Sequence, residues 1–158
     1  MVFKGTVMLT TIGYERADLS DFLNTLEEAG VEVLADIRDR AQSRRKGFSK
    51  TALSNALAER GISYVHFRDL GDPKEGREAA RRGDLARFRK IFSQVMASPQ
   101  AQDALAEVSK LSEDNNVCLL CYERDHRDCH RAIVASAVSK QSGIKPLHLR
   151  VRKFPRAA

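Results

Sequence analysis

No apolar run in this chain of 158 residues approaches the roughly 20 residues that a bilayer-spanning helix needs, so no membrane span is expected. The opening segment, Met1 to Gly13, has neither the long apolar stretch nor the small-residue cleavage site of a secretory signal, and the chain is expected in the cytoplasm. No repeat, low-complexity tract or Pro/Gly-rich linker divides it. One domain over residues 1–158 is therefore the expectation, with order lost only at the ends. Cysteine is scarce as well. The three residues Cys118, Cys121 and Cys129 are odd in number and close in sequence. That pattern argues against a disulfide framework and leaves reduced thiols, a metal site or one reactive residue, in a reducing compartment.

What is present is ordinary for a globular protein, 42% hydrophobic and 30% charged residues, and long enough to bury a core without staples. The net charge of +6 favours acidic partners such as phosphates, nucleic acid or anionic surfaces.

The apolar pattern alternates between two periods. Val7 to Ile12, Val31 to Ile37, Ile62 to Phe67 and Val117 to Cys121 are short apolar or β-branched runs that read as strands, the first and fourth of them buried, and the almost unalternated Val31 to Ile37 reads as covered on both faces. Between them Leu19, Phe22, Leu23 and Leu26 recur at helical spacing behind Asp18, and Leu53 and Leu57 behind Ser49. Leu85, Phe88, Ile91, Phe92 and Val95 follow Asp84; Leu105, Val108 and Leu111 follow Pro99; and Ile133, Val134, Ala137 and Val138 follow Asp128 as a cap. Arg68 to Gly83 reads as a long polar loop, a mobile cover over the sheet edge. Leu147, Leu149 and Val151 alternate with polar residues, as an edge strand does, and the basic segment 152–158 is expected to fray. The fold class is α/β: an open, mostly parallel five-stranded sheet with helices on both faces, a Rossmann-like three-layer arrangement.

Such sheets bind ligands beyond the carboxyl ends of their strands, which directs attention to four loops. The richest follows the fourth strand, where Cys121-Tyr122-Glu123-Arg124-Asp125-His126-Arg127-Asp128-Cys129-His130-Arg131 leads into a helix. A helix start lowers a nearby thiol pKa and can hold phosphate, so Cys129 is a candidate reactive thiol and Cys129, His130 and Arg131 are candidate phosphate contacts. Cys121 to Arg127 matches the C-x5-R spacing of tyrosine phosphatases, but its bulky and acidic interior makes no phosphate nest. Zinc is disfavoured because Cys118 and Cys121, three residues apart on a strand, are separated by about 10 Å and point to opposite faces. The loop after the second strand, Asp36 to Ser49, carries Arg38, Ser43, Arg44, Arg45, Lys46 and Gly47, which suit phosphate oxygens. Phe48 either stacks on a base or packs, and Asp36 either takes part in chemistry or neutralises Arg38. His66 and His148, alone in strands, are given no role.

Taken together, Thr11-Ile12-Gly13, Asp36-Ile37-Arg38, Ser43 to Ser49, Leu70-Gly71, and Leu119-Leu120-Cys121 with Glu123 and Cys129-His130-Arg131 resemble the domain of unknown function DUF488 over nearly the whole chain. The resemblance implies an α/β fold and marks the same loops; it implies no reaction. The family usually has histidine where this chain has Tyr14.

The leading expectation is a protein that binds nucleic acid, a nucleotide or another phosphorylated ligand. Its phosphate contacts would come from Arg38, Ser43, Arg44, Arg45, Lys46, Gly47, Cys129, His130 and Arg131. If it is an enzyme, Cys121 would act as thiolate nucleophile or Glu123 as general acid or base, with Asp36 as a further catalytic candidate. The alternatives are a thiol redox or metal-sensing module using Cys121 and Cys129, and a noncatalytic scaffold binding a protein partner. No cofactor, resident metal or membrane partner is expected.

Overall fold

A computed structural model describes residues 6–156, apart from the side chain of Asp128. Five strands, β1 (Leu9–Gly13), β2 (Val33–Asp36), β3 (Ser63–His66), β4 (Val117–Cys121) and β5 (Pro146–His148), form one open sheet in the order β3-β2-β4-β1-β5. Every pairing is parallel. Helices α1 (Leu19–Glu28), α2 (Lys50–Glu59), α3 (Lys74–Arg81), α4 (Leu85–Ala97), α5 (Pro99–Asp114) and α6 (Arg131–Ser142) supply the crossovers. None is long and apolar enough to cross a membrane.

The near-continuous apolar runs of β1, β2 and β4 are buried on both faces, as a parallel sheet between helical layers requires. One core joins Ile12, Leu34, Cys118 and Leu120 to Phe22 and Leu26 of α1 and to Leu53 and Leu57 of α2. The other joins Leu9, Ala35, Val117 and Leu119 to Phe92 of α4, Leu105 and Val108 of α5, and Val134 and Val138 of α6. The chain thus reverses direction after β3 and changes face. Register aligns Gly13 with Cys121, and Asp36 with Leu120 and His66, so the carboxyl ends of the central strands lie together. Strand β4 sits between β1 and β2, whose following helices lie on the opposite face from α6. Its end is therefore a topological switch point, where open α/β sheets form a crevice.

Three expectations change. Arg68 to Gly83 is not an open loop: it makes a 3-10 turn, Arg68–Leu70, and then α3. The sequence hid this helix because only Ala79 and Ala80 are apolar in it, while Glu, Lys, Arg and Ala all favour helix. Helix α6 starts at Arg131 with His130 at its cap, so the expected cap residue Asp128 belongs instead to a 3-10 turn, His126–Asp128. Over 152–156 the expected frayed tail is tied to α1. The Arg152 amide donates to Thr25 Oγ1, the Phe154 amide to Asp21 Oδ1, and Arg156 pairs with Asp18 and Asp21.

Candidate active site at the carboxyl edge

Cys121 ends β4 and Cys129 precedes α6, and their sulfurs stand in contact across the loop between them. Both are almost fully buried. Arg131, the first residue of α6, turns back beneath this loop and is 0% exposed. Its Nη1 donates to Cys121 Sγ at 3.1 Å and to the Glu123 carbonyl at 2.8 Å, and its backbone N–H donates to Cys129 Sγ at 3.4 Å. The approach is possible because Gly13, beside Cys121 in the sheet, has no side chain. A Cβ there would collide with the Glu123 carbonyl and lie 2.6 Å from Arg131 Nη1.

His130 completes the arrangement. Its Nε2 is 2.7 Å from the Ile37 carbonyl, its Nδ1 is 3.3 Å from Cys129 Sγ, and its ring packs edge-on to Phe92 at 5.2 Å. Burial lowers its pKa to about 4, so the ring is neutral. The loop itself is pinned at both ends. The Glu15 amide donates to the Tyr122 carbonyl, the Arg124 amide donates to Glu15 Oε1, and His126 stacks on His148 at 3.7 Å.

Burial pushes the Glu123 carboxyl up and draws the Arg131 guanidinium down to about 10. Burial, reinforced by Glu123 and Asp39 and opposed by Arg77, raises Asp72 to about 7. Among the described residues, Asp72 Oδ1 and Arg131 Nε are buried without a hydrogen-bond partner. Cys121, Glu123 and Cys129 present donor atoms within 4.8 Å of one another, a set that a soft cation could use. Among the described residues that is one donor short of a structural zinc site, and a guanidinium already stands on the Cys121 sulfur. Cys118 faces the other side of the sheet in the α1 and α2 core, with burial raising its thiol to about 12.

The other sequence candidates are distributed differently. Asp36 and Arg38 form a buried pair at 2.7 Å, and Asp36 also accepts from the Tyr64 hydroxyl. Arg38 donates further to the Phe48 carbonyl at 2.7 Å and to Tyr14 Oη at 3.2 Å. Burial works against the Arg38 charge, yet Asp36 holds its pKa above the ordinary value. The Arg38 fork is thus engaged within the fold. Phe48 packs, fully buried and stacked on Tyr14 at 4.7 Å. Gly47 has a φ of 92° and packs on Leu19, so its freedom serves a turn. Ser43 exchanges hydrogen bonds with Ser49, whose hydroxyl does not cap α2. Arg44, Arg45 and Lys46 are exposed beside this turn.

The structure adds a groove that the sequence reading did not assign. An open cavity of about 1140 Å³ lies beyond β2 and β3, lined by Arg40, Gln42, Lys50, Asn55, His66 and Arg68 among others. An adjoining recess of about 380 Å³ shares Asp39, Arg40 and Arg68 and adds Lys74, Arg77, Glu78 and Arg81. Three of its five cations, Lys74, Arg77 and Arg81, come from α3, an element whose polar pattern reads as loop.

Fold and site together define a parallel α/β protein with two cysteines brought into contact at the switch strand. The family model for the domain of unknown function DUF488 matches residues 18–138, more than half of the chain, and the protein belongs to that family. No curated protein and no solved structure matches it.

Proposed function

We infer that the protein is a thiol redox module in which Cys121 and Cys129 pass between a dithiol and a disulfide. The observation that carries this reading is the contact of the two sulfurs, eight residues apart in sequence, at the ligand-binding edge of the sheet. The electrostatics support it. The Arg131 guanidinium stabilises a thiolate on Cys121, and a thiolate is the form that reacts. Oxidation of the pair removes two electrons and two protons, and a thiol–disulfide buffer supplies the acceptor.

The test is prolonged equilibration in buffers of reduced and oxidised dithiothreitol, followed by acid quench and thiol counting. The expected result is one two-electron transition, from three free thiols to one, with a Cys121–Cys129 peptide in the map and Cys118 left free. Thiols that stay fully reduced across the whole series would remove the reading.

A second reading, that the protein binds nucleic acid, a nucleotide or another phosphorylated ligand, is favoured by the groove. Its phosphate contacts would come from Arg40, Lys50, Arg68 and Lys74 in place of Arg38, whose guanidinium is paired within the fold. Binding of single-stranded DNA or RNA that weakens log-linearly with salt, with a shallower slope in Arg68→Ala/Lys74→Ala, is the expected outcome. No binding at low salt would dismiss it.

A further inference from the structure

The two thiols of this pair are held in unlike ways. Cys121 Sγ meets a guanidinium N–H at 3.1 Å, which favours its thiolate. Cys129 Sγ meets an imidazole nitrogen at 3.3 Å. The Ile37 carbonyl can only accept, so the proton on His130 sits on Nε2. The ring is buried between Phe92 and the start of α6, and among the described residues no carboxylate is hydrogen-bonded to it, so a second proton there would be a buried charge without a described counter-ion. Its Nδ1 is therefore a bare acceptor aimed at the Cys129 thiol. Access is also restricted: Cys121 is 1% exposed and Cys129 6% exposed, which favours small molecules over a protein disulfide as the oxidant.

Building on the thiol reading above, we propose that the site reduces a small peroxide, with Cys121 as the thiol that is oxidised first, Cys129 as the thiol that condenses with it, and His130 as the base for Cys129. In the first step the Cys121 thiolate attacks one peroxide oxygen and the O–O bond breaks. The departing hydroxide takes a proton from solvent and leaves as water. Sulfur gives up two electrons and becomes a sulfenic acid, and the peroxide gains them. In the second step His130 Nδ1 takes the Cys129 proton and the Cys129 sulfur attacks the sulfenic sulfur. The S–S bond forms as the S–O bond breaks, and the leaving hydroxide recovers the proton from Nδ1 as water. A thiol reductant returns the disulfide to two thiols. Arg131 bears on the first step and His130 on the second, so the two steps are separable by mutation.

The experiment treats the reduced full chain with hydrogen peroxide, quenches it with a cyclic dione that traps sulfenic acid, and maps the peptides over time. In Cys129→Ser the dione adduct is expected on Cys121, and in Cys121→Ser adduct on Cys129 is expected to form at least about tenfold more slowly. His130→Gln retains a donor for the Ile37 carbonyl but has no base at the Nδ1 position. It is expected to form sulfenic acid at the wild-type rate and to close the disulfide on the order of a hundredfold more slowly, the low end of the usual contribution of a general base. Adduct found first on Cys129, or an unchanged closing rate in His130→Gln, overturns the assignment. Should that variant not fold, nitrogen NMR of the wild-type imidazole decides: Nε2–H at neutral pH supports the base, and Nδ1–H or a doubly protonated ring overturns it. A pair that oxidises in dithiothreitol buffer but not with peroxide refutes this proposal alone, whereas a pair that oxidises in neither removes the thiol reading itself.

Discussion

Arg38 and Arg131 are both buried arginines, yet among the described residues only Arg38 of the two is paired with a carboxylate. Removing the charge of its partner shows what that pairing is worth. In Asp36→Asn the guanidinium stays buried without its anion, and stability measured by denaturant unfolding is expected to fall by about 3 to 5 kcal/mol. The phenol of Tyr64, held above its ordinary pKa by burial and by Asp36, faces an uncharged side chain in the same variant. Asp72 is the opposite case, a buried carboxyl with one oxygen unpartnered. Its pKa in the fold is about 7 against an ordinary 3.8, so between these values the folded chain keeps a proton that the unfolded chain has released. Stability from this group is full below about pH 4, declines as pH rises toward 7 and is flat beyond. Asp72→Asn is expected to remove that decline, read as denaturation midpoints that no longer drop between pH 4 and pH 7. A decline of the same size in the variant would assign it to another group.

At the level of elements, helix termini show how local chemistry and tertiary contact divide the work. Asp18 caps α1 by accepting from the Asp21 amide at 3.2 Å, as the sequence pattern indicated. The same carboxylate receives Arg156 from the C-terminal segment, at 3.2 Å, a contact between residues 138 apart in sequence. Asp18→Ala is expected to cost about 1 kcal/mol by loss of the cap. It should also increase amide exchange in 152–156, a change that loss of the cap alone would not produce. Helix α6 follows a different rule. His130 stands at its cap position and engages Ile37 and Cys129, so this terminus is organised around the thiols.

At the scale of the molecule, two cores on opposite faces share one sheet, and neither has an independent layer to fold against. Damage to one face is therefore felt by the whole. Leu53→Ala on the α2 side is expected to lower stability by about 2 to 5 kcal/mol while circular dichroism and tyrosine fluorescence still report a single coincident transition. Two separated transitions would show that the faces unfold apart. The shared sheet also explains why the thiol site and the basic groove lie on one rim. All five strands are parallel, so their carboxyl ends and the loops after them emerge on the same side.

The sequence by itself determined the strands, five of the six helices and the edge at which chemistry collects. Continuous apolar runs can be buried only between two helical layers, and parallel strands need crossovers on both faces. Cys118 could be separated from Cys121 by strand periodicity alone, because an odd spacing sends the two side chains to opposite faces. Only the tertiary structure decided which charges remain available. Asp36 at its strand end reads in the sequence either as a chemical group or as the partner of Arg38, and distance and burial select the pairing. Helix α3 was hidden because its buried positions are the small residues Gly76 and Ala79, which leave little apolar periodicity in the sequence. The joining of Cys121, Cys129, Arg131 and His130 with the Ile37 carbonyl was also out of reach. It depends on the strand order that sets β4 beside β1 and β2, and pairings between distant segments leave no periodic mark in the chain that makes them.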